Sequence, residues 1–126
     1  MSTDTLRRAA TRLRELADAA APGPWSAFGT GRAGGDHWHV FDPDGESIAS
    51  IAAQDGSNEE QREPTAALIA TMGPTMAAAL AHYFDLEADS IELATAIADP
   101  EVVAATLAQP GPQACLQLAR LVLGEA

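Results

Sequence analysis

Apolar residues in the first twenty positions recur three and four apart: Leu6, Ala9, Ala10, Leu13, Leu16, Ala17 and Ala20. That spacing puts them on one stripe of a helix over about 3–20. Pro22-Gly23-Pro24 ends it, because each proline restricts the residue before it and Gly23 is free to turn. From Trp25 the period changes. WSAF, HWHVF and ESIASIAA are rich in aromatic and β-branched residues and are separated by turn-forming stretches, which predicts three short antiparallel strands within about 25–53. Asp42-Pro43-Asp44-Gly45, with proline early and glycine late, has hairpin chemistry. A polar loop over 54–63 follows.

Helical spacing then returns. Pro64 suits the first position of a helix that carries Leu68, Ile69 and Met72 on one face. Gly73-Pro74 predicts a break, with Gly73 as cap and Pro74 as restart. Met76, Leu80, Tyr83 and Phe84 continue the apolar face. LEADSIELATAIA, DPEVVAATLAQ and PQACLQLARLVLG read as further short helices, with Asp99 capping Pro100. The chain of 126 residues is therefore expected to form a single α+β domain. It has an N-terminal helix, a three-stranded antiparallel β-sheet and a C-terminal group of short helices within about 64–123.

Composition narrows the chemistry. The chain is 47 % hydrophobic, too apolar for a disordered protein, but much of that fraction is alanine, so the core is expected to be thin. Its formal charge is −11, from 18 acidic and 7 basic residues, and every basic residue is arginine. Phosphate backbones and anionic membranes need clustered Lys/Arg, so the expected partners exclude nucleic acid and membrane. Arg7, Arg8, Arg12 and Arg14 are the local exception, and Asp4, Glu15 and Asp18 stand at helical spacing to pair with them on a solvated flank. The single cysteine, Cys115, lies in an apolar helical pattern and reads as a buried thiol. No stretch approaches the eighteen or so apolar residues of a membrane span, and MSTDTLRRAATRL lacks a signal-peptide h-region; a cytoplasmic protein is expected.

Candidate metal and acid/base groups concentrate in DHWHVFDPDGE, residues 36–46. His37 and His39 would project from the same face of a strand, as two ligands of a zinc site, with His82 or Asp42 to be brought in by the fold as a third. The plainer reading is that they flank a core Trp38. Asp42, Asp44 and Glu46 alternate like the start of a calcium loop, but their flanks are strands, so a hairpin turn is expected; with Trp38 they form a candidate interaction surface. GTGRAG at 29–34 matches a dinucleotide fingerprint in letters only, since a strand and not a helix follows it. No nucleophile elbow, P-loop, HExxH or paired-cysteine motif is present, and no catalytic residue is nominated.

LRELADAAAPGPW, the acidic hairpin, PTAALIATMGPTMAAALAHYFD and the closing CLQLARLVLGEA together resemble a group of small accessory proteins of actinobacterial phages, prophages and their hosts. The resemblance implies a phage-type or mobile-element context without an assigned activity. The matching positions, Pro22, Gly23, Pro24, Trp25, Ile69 and Pro74, carry structural roles and no catalytic one. The function expected is that of a non-enzymatic acidic protein engaging a protein partner. The competing reading is a small metal-dependent enzyme or ligand-binding domain centred on His37 and His39. Alanine-rich apolar faces in the last forty or so residues exceed what so small a sheet can cover, which predicts a homodimer built from those helices.

Overall fold

The structure, a computed structural model, describes residues 2–30, 37–51 and 59–125. Its elements run α1 (Ser2–Ala19), β1 (Ser26–Thr30), β2 (His37–Phe41), β3 (Ser47–Ile51), α2 (Glu59–Thr71), α3 (Pro74–Ile97), α4 (Pro100–Leu107) and α5 (Pro110–Leu123). This is the α+β order read from the sequence, except that LEADSIELATAIA, expected as a separate short helix, continues α3 without a break to Ile97. The chain divides into two compact units, Leu16–Ala77 and Met1–Glu15 with Ala78–Ala126. Residues 31–34 of the GTGRAG segment, and 54–58 of the expected polar loop, lie outside the described residues.

In the unit Leu16–Ala77 the three strands form one antiparallel sheet in the order β1-β2-β3. Phe28 stands opposite His39, and Trp38 opposite both Gly29 and Ile51. Val40 is fully buried whereas His37 is exposed, so alternation assigns Trp38 and Val40 to the inner face of β2. Helix α2 packs across all three strands. It begins at Glu59, five residues before the start expected at Pro64, which sits inside the helix. Only the bond from the missing Pro64 N–H to the Glu60 carbonyl is given up, and the earlier N–H groups belong to the first turn, which has no intrahelical acceptors in any helix.

The inner face of α2 also differs from the expectation. Arg62 and Ala66 are buried, while Leu68 and Met72 are exposed. A small side chain at 66 lets the helix approach the sheet closely, which the bulk of Leu68 would prevent.

Two punctuation motifs meet in this unit. The helix break falls at Gly73 as expected, and a Cβ there would stand 3.0 Å from Cδ2 and Cε3 of Trp25. The Trp25 ring is held by its own hydrogen bond, with Nε1 donating to the Ala21 carbonyl at 2.9 Å. Gly23 lies equally close to its neighbours, its would-be Cβ 3.0 Å from Thr75 Oγ1 and 3.1 Å from Pro74 Cγ. Pro22-Gly23-Pro24-Trp25 and Gly73-Pro74-Thr75 thus act as one contact in addition to stopping helices.

The second unit is helical. Leu6, Ala9 and Ala10 of α1 pack with Ala81, Phe84 and Ala88 of α3 and with Cys115, Leu116 and Ala119 of α5. Asp99 and Gln109 occupy the N-cap positions of α4 and α5, each followed by proline, but neither side chain makes a capping bond. The Asp99 carbonyl, not its carboxylate, accepts from Val102 and Val103. At the other end of α5, Gly124 takes φ 72°. Its N–H donates to the Leu121 carbonyl, and that of Glu125 donates to the Arg120 carbonyl, a Schellman turn. Among the described residues no single helix is long and apolar enough to cross a membrane.

Gly73→Val should lower stability by about 1–3 kcal/mol, because the Trp25 ring must move or lose its bond. Gly111→Ala, in α5 and facing open space, should raise stability by up to about 1 kcal/mol through helix propensity. Urea unfolding followed by circular dichroism compares the two.

Candidate interaction surfaces

The acidic stretch after β2 is a turn. Gly45 adopts φ 83°, its N–H donates to the Asp42 carbonyl at 3.0 Å, and the Asp42 N–H donates to the Glu46 carbonyl at 3.0 Å. Asp42 Oδ1 accepts from the backbone N–H groups of Asp44 and Glu46, at 3.0 and 2.9 Å. One Asp42 oxygen is therefore committed to the turn, while the side chains of Asp44 and Glu46 are exposed.

Strand alternation separates Trp38 from its neighbours. Trp38 is half-buried on the Val40 side, whereas His37 and His39 share the opposite face with Phe28 and Phe41. On that outer face the rings of Phe28 and Phe41 lie 5.9 Å apart and those of His39 and Phe41 5.6 Å apart. His39 Nδ1 is 3.1 Å from Ser47 Oγ. Asp36 lies outside the described residues, and His82 is on α3 in the helical unit. Among the described residues no group of three or more His, Cys, Asp or Glu side chains is arranged to hold a metal ion.

The N-terminal arginines do more than line a solvated flank. Arg8 pairs with Asp4 and Arg12 with Glu15 along α1, as their spacing predicts. Arg7, however, reaches from α1 to α3, where it bonds Asp85 at 2.9 Å, Asp89, and Glu92 at 3.3 Å. Arg14 takes the other oxygen of Asp85 at 2.6 Å. Arg8 also reaches Glu125 at 2.8 Å, where the Schellman turn has placed it. Burial by itself would push the Asp85 carboxyl up, but the bonds from Arg7 and Arg14 outweigh it and hold the carboxyl below the ordinary aspartate range. Arg8 likewise holds Glu125 low.

Cys115 is buried, as its helical context predicts. Burial pushes its thiol up, and Glu87 adds to the effect, against the pull of the Tyr83 hydroxyl. The packing that buries the thiol thus disfavours its thiolate.

The feature that the sequence reading did not isolate is the outer face of α3. Tyr83, Leu86, Leu93 and Ile97 are 45, 53, 62 and 77 % exposed. With Ala79 and Ser90 they occur at alternating steps of four and three, the spacing of a coiled-coil seam. The helix has a second apolar face, formed by Ala81, Phe84 and Ala88, which is buried. A seam signal was present in the sequence, but the inward face overlaid it with the same helical period.

Comparison of the chain with protein-family models, curated proteins and solved structures returned no match.

The lowered Asp85 value has a definite sign. A carboxyl whose folded pKa is depressed contributes its stability above the unfolded value, about 3.9, and loses it as pH falls through the folded value. Asp85→Asn should therefore lower the melting temperature at pH 7 and reduce its fall between about pH 4 and pH 2. Melting curves of both proteins across that range provide the check.

Proposed function

We propose that the protein is a non-enzymatic interaction protein, an accessory of phage or mobile-element type, which forms a homodimer through α3 and presents an acidic surface to a protein partner. The observation that carries this reading is the exposed seam of α3. Covering a leucine or isoleucine fully is worth about 1.5–3 kcal/mol, whereas an exposed ion pair contributes about 0–1 kcal/mol. The seam, rather than the charged residues beside it, is thus the driving surface for self-association. Pairing two copies would bury on the order of 1,000 Å2, near the lower bound for a specific interface. A reversible dimer follows from that size.

The electrostatics support a protein partner over nucleic acid. Arg7, Arg8, Arg12 and Arg14 all have carboxylate partners, so the basic run in α1 offers phosphate no free cluster. The net charge of −11 suits a basic protein surface and would make the association sensitive to salt. The phage-type context rests on the helix, Pro-Gly-Pro-Trp and Ile-x-x-x-x-Pro elements of the sequence, and a cytoplasmic site of action accords with it.

Sedimentation equilibrium at micromolar concentration should give a dimer mass. Leu86→Glu with Leu93→Glu should shift it to the monomer without loss of helical circular dichroism, since both positions are exposed. The tagged protein should also retain one partner from host lysate in near-stoichiometric amount at low salt and lose it at high salt. A monomeric wild type would remove the dimer from this proposal. Retention of nothing above control at either salt would remove the partner.

A further inference from the structure

The seam on the outer face of α3 has a direction. Ala79, Tyr83, Leu86, Ser90, Leu93 and Ile97 are all exposed and follow one another at steps of four and three. In a heptad the step of three runs from a to d, so Tyr83, Ser90 and Ile97 take a positions and Ala79, Leu86 and Leu93 take d positions. The whole seam belongs to the helical unit and extends about 27 Å at 1.5 Å per residue.

This assignment discriminates between the two ways in which two copies of α3 can pair. Leucine at d with a β-branched residue at a suits a parallel two-stranded coil, and a polar residue at a single a position fixes its register. Leu86 and Leu93 at d, Ile97 at a and Ser90 at the central a position meet that pattern. Side by side in register, the Ser90 hydroxyls of the two copies can hydrogen-bond to each other. Run antiparallel about the midpoint of the seam, level with Ala88, the helices would place Ser90 against Leu86 and Tyr83 against Leu93. Each polar group would then be covered by an aliphatic chain that offers it no partner.

The flanks of the seam agree. His82, Asp89 and Ala96 stand at the g positions and are exposed, while Leu80, Glu87 and Ala94 stand at the e positions and are half-buried. A parallel pair brings each g residue beside the e residue five positions on in the second copy. His82 then meets Glu87, where an imidazole N–H can donate to the carboxylate, and Asp89 meets Ala94. An antiparallel pair brings e to e and g to g, so Glu87 meets Glu87 and Asp89 meets Asp89 near the midpoint. Arg7 bonds Asp89, but Glu87 makes no ion pair among the described residues, so its meeting with a second Glu87 is repulsive.

We propose that α3 pairs with α3 of a second copy in parallel and in register, with Ser90 against Ser90 at the centre and His82 of each copy against Glu87 of the other. This rests on the proposed homodimer and defines how its two chains face each other. The two-fold axis runs along the seam, and both helices start at the same end of it.

The test places single cysteines in the full chain, equilibrates each variant in a buffer of reduced and oxidised glutathione, and reads disulfide-linked dimer on non-reducing gels. Wild type, whose one cysteine is buried, and Ala105→Cys, on the exposed side of α4, are the controls. Ala79→Cys and Leu93→Cys each bring two thiols together in the parallel pair, and each should give at least about tenfold more linked dimer than the controls. In an antiparallel pair the thiols of these variants would lie about 27 and 15 Å apart along the seam, beyond disulfide reach. Charge gives a second reading at low salt. His82→Glu sets two like-charge pairs across the parallel interface, whereas Ala96→Glu adds the same charge to the same flank with no carboxylate opposite. The dimer dissociation constant from sedimentation equilibrium should therefore rise at least about threefold more for His82→Glu than for Ala96→Glu. In an antiparallel pair residues 82 and 96 face each other, and the two effects would be equal. Equal effects overturn the proposal, as does preferential linking of Tyr83→Cys to Leu93→Cys in a mixture of the two. A wild type that sediments as a dimer while neither Ala79→Cys nor Leu93→Cys links overturns the parallel register and leaves the homodimer standing. A monomeric wild type overturns both.

Discussion

Alanine sets the distances between the packed elements. In the helical unit five of the nine core residues are Ala9, Ala10, Ala81, Ala88 and Ala119, and Phe84 and Leu6 supply the large fully buried side chains. In the other unit Ala66 takes the inward position on α2. A methyl group lets helices and sheet come close, but it adds little buried area, so each contact is weak for its length. The compensation differs between the units. The sheet unit locks two glycines against Trp25 and against Pro74 and Thr75, whereas the helical unit places arginines across α1 and α3.

The same constraint explains what lies outside. When small residues take the interior, large apolar side chains are left at the surface: Leu68 on α2 and Met72 just after it, Leu86, Leu93 and Ile97 on α3. On α3 they fall at seam spacing, which turns displacement into an organised surface. On α4 no residue is fully buried, Val103 and Leu107 are half-buried, and a hollow of about 390 Å3 remains beside α3. Surface and core are thus two outcomes of one packing rule.

Charge is arranged on the same principle. The N-terminal arginines are spent inside the helical unit, on Asp85, Asp89, Glu92 and Glu125. Glu87 on α3 and the hairpin residues Asp44 and Glu46 stay free of ion pairs among the described residues, and the acidic excess is left facing outward. The field of such a surface attracts cations and repels anions, and salt screens both.

The sequence by itself determined the element types, their order and most of their ends. Period 3.6 over 3–20, β-branched runs over 25–53 and the proline-glycine breaks are local signals, and local sterics obey them. It also determined the hairpin turn, because Asp42 and Gly45 act within five residues of chain. Tertiary structure decided which of two apolar faces on α2 and α3 turned inward, since both have the same period and only the neighbours' shape discriminates between them. It also moved the start of α2 to Glu59, and it sent Arg7 and Arg14 across to Asp85 rather than along α1. Those pairs are separated by seventy or more positions, a distance at which spacing carries no information and only the approach of two helices brings the charges together.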